Sequence, residues 1–104
     1  MHPLIEAKKD AIASLCREFK VRRLDVFGSA LGRDFDPALS DVDFVVDFLP
    51  ISEHDLLDCY FGLKQGLESL FARPVDLIER DTLRRERLRK IVDQERVQVY
   101  AEAV

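Results

Sequence analysis

A chain of 104 residues with 47% apolar content has the size and make-up of one globular domain with a single modest core. No apolar run approaches the roughly 20 residues that a membrane-spanning helix needs. The formal net charge of −4 disfavours nonspecific attraction to nucleic acid, so direct nucleic-acid binding is not expected. The first fifteen residues, MHPLIEAKKDAIASL, are interrupted by charge and carry no secretory apolar segment, which predicts a cytoplasmic protein. Cys16 and Cys59 lack metal-type spacing and read as reduced thiols at or near the core.

Residues 3–20 carry a stripe at three- and four-residue steps (Leu4, Lys8, Ala11, Ile12, Leu15, Phe19), with Pro3 suited to a first turn, and predict one amphipathic packing helix. A strand follows over Val21 to Phe27. Arg22 and Arg23, at its start, read as solvated flanks with a phosphate contact as the alternative. Gly28-Ser29 comes next, then a short helical turn at Ala30-Leu31 and a polar loop from Arg33 to Ser40. Asp41 to Phe48 predicts the second strand, stopped by Pro50. Asp47 is expected to be a solvent-facing or strand-end charge. Ser52, with Asp55 three residues on, predicts the start of a helix over 53–71 whose apolar stripe is Leu56, Tyr60, Leu63, Leu67 and Leu70. Gly62 and Gly66 share one face of that helix and imply close packing, either within the fold or on a partner. Val75 to Ile78 predicts a third strand, and Asp81 is expected to cap a last helix over 82–95. Segment 79–90 holds six basic residues against three acidic ones and reads as a solvated helix face, or alternatively as a patch for RNA or an acidic partner. Val97, Val99 and Tyr100 suggest a short final strand.

The stretch from Leu24 to Asp47 carries the chemistry. Side chains alternate along a strand, so Asp41, Asp43 and Asp47 share a face while Val42 and Phe44 turn to the core. Two carboxylates side by side repel each other, and a hard divalent cation with oxygen preference removes that repulsion. Glycine lets backbone approach an anion, and exposed N–H groups with a hydroxyl can hold a phosphate. Taken singly, Gly-Ser is a turn, Asp-x-Asp is an exposed strand face and Asp76 is an edge charge. Their order and apolar strand context together point to metal-dependent chemistry on a nucleotide.

The arrangement Gly28-Ser29, eleven residues, Asp41-Val42-Asp43 and then Arg73-Pro74-Val75-Asp76 resembles the DNA polymerase β-like nucleotidyltransferase superfamily, in particular its minimal MNT-type antitoxins. One residue more than the usual ten separates the motifs, and Gly32-Arg33 stands where many relatives have Arg-Gly. The resemblance implies an α+β fold with a small mixed sheet over 1–104. It implies Asp41, Asp43 and Asp76 as catalytic residues and as ligands of Mg²⁺ or Mn²⁺, with Gly28 and Ser29 on the phosphates of ATP. It implies transfer of AMP to a hydroxyl, a tyrosine, of a partner HEPN-type toxin. Two other readings stand beside it: a small-molecule nucleotidyltransferase, and an antitoxin that neutralises its partner by covering it. The short chain leaves little room for an acceptor pocket, which favours a protein acceptor. The arginine face of the last helix and the glycine face of helix 53–71 are the candidate docking surfaces, and homo- or hetero-oligomers are both compatible with the sequence.

Overall fold

A computed structural model of the chain describes residues 3–27, 42–82 and 86–102. Helices α1 (Pro3–Glu6) and α2 (Lys9–Glu18) precede strand β1 (Val21–Phe27). Strand β2 (Val42–Phe48), helix α3 (Glu53–Phe71) and strand β3 (Val75–Glu79) follow. A 3₁₀ turn at Arg80–Thr82, helix α4 (Glu86–Glu95) and strand β4 (Val97–Ala101) complete the order of the described elements. The strands form one sheet in the order β3-β2-β1-β4. β1 is antiparallel to β2 and β4, and β3 is parallel to β2, so the sheet is mixed and the fold is α+β as expected.

The main core lies between one sheet face and helices α1, α2 and α3. Val42, Phe44, Val46 and Phe48 of β2 are buried on this face, with Leu24 and Val26 of β1 and Val75 and Leu77 of β3. Ile5, Ile12 and Cys16 meet them from α1 and α2, and Cys59, Leu63, Leu67 and Phe71 from α3. Burial pushes the Cys16 thiol up to about 12, against a smaller opposing pull from Arg17, so it stays protonated and inert.

The single helix expected over 3–20 is two helices. The Lys8 N–H turns to the Ile5 carbonyl (3.1 Å), an i→i−3 bond that closes α1 after one turn, before the Ile12 N–H bonds the Lys8 carbonyl (2.9 Å). Ala11 is exposed and Ile5 and Cys16 take the deeper positions, so the buried stripe is offset from the expected one. α3 forms as expected: Ser52 accepts a hydrogen bond from the Asp55 N–H (3.2 Å), and Ala72 ends the helix with a left-handed φ of 53° ahead of Pro74. Asp81 lies in the 3₁₀ turn Arg80–Thr82, and the final helix is described over Glu86–Glu95; the expected helix start over 83–85 lies outside the described residues. The Thr82 hydroxyl donates to the Glu79 carbonyl (2.7 Å), and this ties the turn to the end of β3.

β3 is an edge strand, and side chains cover its outer backbone groups. The Val75 N–H donates to Glu68 Oε2 (3.2 Å) and the Leu77 carbonyl accepts from the Tyr60 hydroxyl (2.6 Å). Such caps discourage another strand from adding there.

Gly62 and Gly66 serve the α2–α3 contact. A Cβ on Gly62 would lie 2.3 Å from Phe19 Cε1, and one on Gly66 would lie 2.7 Å from Leu15 Cδ2. The glycine face is therefore packed against α2 from within the chain. Gly62→Val is expected to destabilise the protein by about 1–3 kcal/mol through overpacking. In a Phe19→Ala background the same substitution should cost much less. Urea denaturation of the four-protein cycle measures this coupling, and an equal cost in both backgrounds would contradict the packing assignment.

Candidate active site

The second sheet face carries the polar chemistry. Asp43, Val45 and Asp47 of β2 project here, opposite the core-facing residues. Asp43 and Asp76 are register partners across the parallel β2–β3 pair, which sets the two carboxylates on one face about 5 Å apart at the backbone. Asp43 is half-buried and Asp76 is exposed. The antiparallel register places Phe27, the last residue of β1, beside Asp43, so the chain runs into Gly28-Ser29 directly from the strand next to that carboxylate. Gly28, Ser29 and Asp41 themselves lie outside the described residues, as do Arg33 and the loop to Ser40. Among the described residues no group of three His, Cys, Asp or Glu side chains forms a ready metal cage. Asp43 and Asp76 supply two hard oxygen donors, the type that Mg²⁺ and Mn²⁺ take, and Asp41 is the third residue expected with them.

At the other end of the same face stands a buried ionic network that the sequence reading did not identify. Asp25 is 0% exposed. Its Oδ1 accepts from Arg23 Nε at 2.9 Å, and its Oδ2 has Arg96 Nη1 at 3.2 Å as an ion pair. Arg96 also reaches Asp47 Oδ2 at 3.4 Å and Asp93 Oδ1 at 3.6 Å. Arg80 makes a two-pronged contact to Asp93, with Nε at 3.1 Å and Nη2 at 2.8 Å, and this hydrogen bonding holds the Asp93 carboxyl below its ordinary range. Asp47 is thus a half-buried partner of Arg96 rather than a solvent-facing charge, because the end of α4 comes down over this face. Arg23 is likewise a partner of Asp25 rather than a solvated flank. Buried Val45 and Val92 stand outside the main core and belong to this second layer. An open pocket of about 320 Å³ here is lined by Arg22, Arg23, Asp47, Arg80, Asp81 and Arg96, at the end of β2 opposite Asp43. A sequence signal did exist: Arg23 and Asp25 are two apart on one strand face, and an aspartate sits inside the apolar run Leu24 to Phe27.

Burial pushes the Asp25 carboxyl above its ordinary range. The hydrogen bond and charge of Arg23 and the charge of Arg96 pull it down without cancelling the shift, and Asp47 adds to it. A carboxyl raised in the fold contributes stability that is full below the unfolded value and is lost as pH rises through the folded one. The stability advantage of wild type over Asp25→Asn is therefore expected to shrink as pH is raised from about 4 toward neutrality. Urea unfolding across that range measures it. A gap that widens with pH would mean that the two guanidiniums outweigh desolvation.

The chain matches the family model described as nucleotidyltransferase domain over residues 8–100. A comparison with curated proteins returns no match. Among solved structures, one described as a minimal nucleotidyltransferase aligns with a TM-score of 0.73 and 33% identity, covering 93% of this chain and 95% of that one. A toxin–antitoxin structure with AMP-PNP aligns at TM-score 0.67 and 23% identity, over 90% of this chain and 73% of that one. A tri-AMPylated Shewanella oneidensis HEPN toxin in complex with an MNT antitoxin aligns at TM-score 0.65 and 21% identity, over 94% and 73%. At those last two identities the likeness is one of fold. With the family model spanning nearly the whole sequence and Asp43 and Asp76 paired on one sheet face, this chain belongs to the nucleotidyltransferase domain family.

Proposed function

We propose that this protein, acting in the cytosol as a single domain, transfers AMP from ATP to a tyrosine hydroxyl of a partner HEPN-type toxin and so acts as its antitoxin. The observation that carries the reading is the parallel register that sets Asp43 beside Asp76, next to the exit of β1 into Gly28-Ser29. The backbone at Gly28 and the Ser29 hydroxyl hold the β- and γ-phosphates. Asp41, Asp43 and Asp76 hold Mg²⁺ or Mn²⁺, which when bound neutralises phosphate charge and lowers the pKa of the attacking hydroxyl. Asp76, exposed on the edge strand, faces the incoming acceptor and takes the tyrosine proton. The tyrosine oxygen forms the bond to the α-phosphorus, the bond from that phosphorus to the bridging oxygen breaks, and pyrophosphate leaves. The enzyme's part is chiefly to position the groups and balance their charge. An added phosphodiester places negative charge and bulk on the acceptor, enough to block a site that binds an anionic substrate.

The expected outcome is an adenylyl adduct on the toxin encoded beside this protein after incubation with ATP and Mg²⁺, read by intact-mass spectrometry. Asp43→Asn should abolish the adduct and the metal dependence of ATP binding in calorimetry, while its thermal melt stays cooperative. Neutralisation of the toxin without a mass change, equally by wild type and Asp43→Asn, would replace the enzymatic reading with an antitoxin that acts by covering.

A further inference from the structure

An apolar ridge on α3 is left uncovered by the fold. Leu57 and Phe61, one helical turn apart, are 59% and 61% exposed. They border an open groove of about 420 Å³ whose remaining wall includes Tyr60, Leu77, Ile78 and Glu79. The ridge is fixed to the strand that carries Asp76. The Phe61 ring stands edge-on to Tyr60, with centroids 5.2 Å apart and planes at 88°, and the Tyr60 hydroxyl is anchored on the Leu77 carbonyl. Ile78, in the groove wall, shares the sheet face of Asp76 two residues further on, about 7 Å away. A partner seated in the groove is thereby held in register with the Asp43–Asp76 pair.

The surroundings select the partner's chemistry. Glu53 lies one turn before Leu57, Asp58 follows Leu57, and Glu79 lines the groove. The Glu79 carboxyl is pushed up chiefly by burial and further by the charges of Asp81 and Asp47. A second copy would bring one acidic rim against another, whereas a basic segment relieves the repulsion. The outer backbone of β3 is already engaged by Glu68, Tyr60 and Thr82, which disfavours an added strand and leaves recognition to side chains.

We propose that the Leu57–Phe61 ridge is the docking surface for the acceptor protein, which seats the apolar stripe of a basic amphipathic helix in the groove and so brings its hydroxyl to Asp43 and Asp76. The identity of the occupant rests on the adenylyl-transfer reading. The location rests on the ridge, the groove and the acidic rim.

The test uses the full chain and the purified product of the adjacent reading frame. Wild type should form a complex whose Kd, measured by calorimetry, weakens at least tenfold in Phe61→Glu and in Leu57→Glu. Their melting temperatures and Mg²⁺-ATP affinities should stay within error and within twofold of wild type. Arg87→Glu, an exposed change on α4, should leave the complex intact. A photo-crosslinker at position 61 should capture a basic helical peptide of the acceptor. The proposal is overturned if wild type does not bind that protein. It is also overturned if Arg87→Glu weakens the complex and Phe61→Glu does not, or if the crosslink joins two copies of this chain. A complex sensitive to Phe61→Glu but with no adenylyl adduct in wild type would uphold the docking surface and defeat the enzymatic reading.

Discussion

Four carboxylates on one face of a four-stranded sheet are the constraint on which this structure depends. Asp25, Asp43, Asp47 and Asp76 all project away from the helical core. Two such charges about 5 Å apart at an effective dielectric near 20 repel by about 3 kcal/mol, a large share of the stability of a small domain. The protein resolves the repulsion differently at the two ends. At the β4 side, Arg23 and Arg96 sit against Asp25 and Asp47 and close the face with fixed guanidiniums. At the β3 side, Asp43 and Asp76 stand beside an exposed edge. Fixed cations make one end a structural clasp. The other end sets the carboxylates of Asp43 and Asp76 side by side near the sheet edge, where the proposed metal and nucleotide would sit.

The clasp also accounts for the position of the last third of the chain. Arg96 lies between α4 and β4 and contacts side chains from β1, β2 and α4 at once. Its guanidinium suits this role because it stays charged and presents several donors in one plane. Replacing it with lysine would keep the charge and lose the simultaneous reach. On the opposite face, the two glycines of α3 let α2 approach, and that contact commits one side of α3 to the interior. On the side that faces the β3 edge, Leu57 and Phe61 stand out as exposed apolar side chains.

Local patterns revealed most of the fold because each element carried its own signal. The β1 and α3 boundaries follow from the apolar run that ends at Phe27 before Gly28, the Ser52 cap and the Pro74 stop. The Asp43–Asp76 pairing was legible because an Asp-x-Asp strand and a later apolar strand with a single aspartate fit one family pattern. The break at Ala7-Lys8 was not legible, since it depends on a single backbone N–H, that of Lys8, taking an i−3 partner within an apolar periodicity that continues across it. The Asp25–Arg96 clasp was hidden for a different reason. Its members are 71 positions apart in sequence, and Arg96 reads locally as an ordinary charge between a helix and a strand. Asp47 was misassigned with it, because whether a strand-end aspartate faces water depends on what packs over the sheet.

The most direct test of this account is a Mn²⁺ titration followed by NMR, since the paramagnetic ion broadens amide signals near its site. The account predicts selective broadening at Asp43 and Asp76 in wild type, strengthened by ATP and lost in Asp43→Asn, with Asp25 and Gln98 at the β4 side spared. Broadening centred on Asp47 and Asp93, or uniform weak broadening that Asp43→Asn leaves unchanged, would contradict the division of the face into a fixed clasp and a metal-binding end.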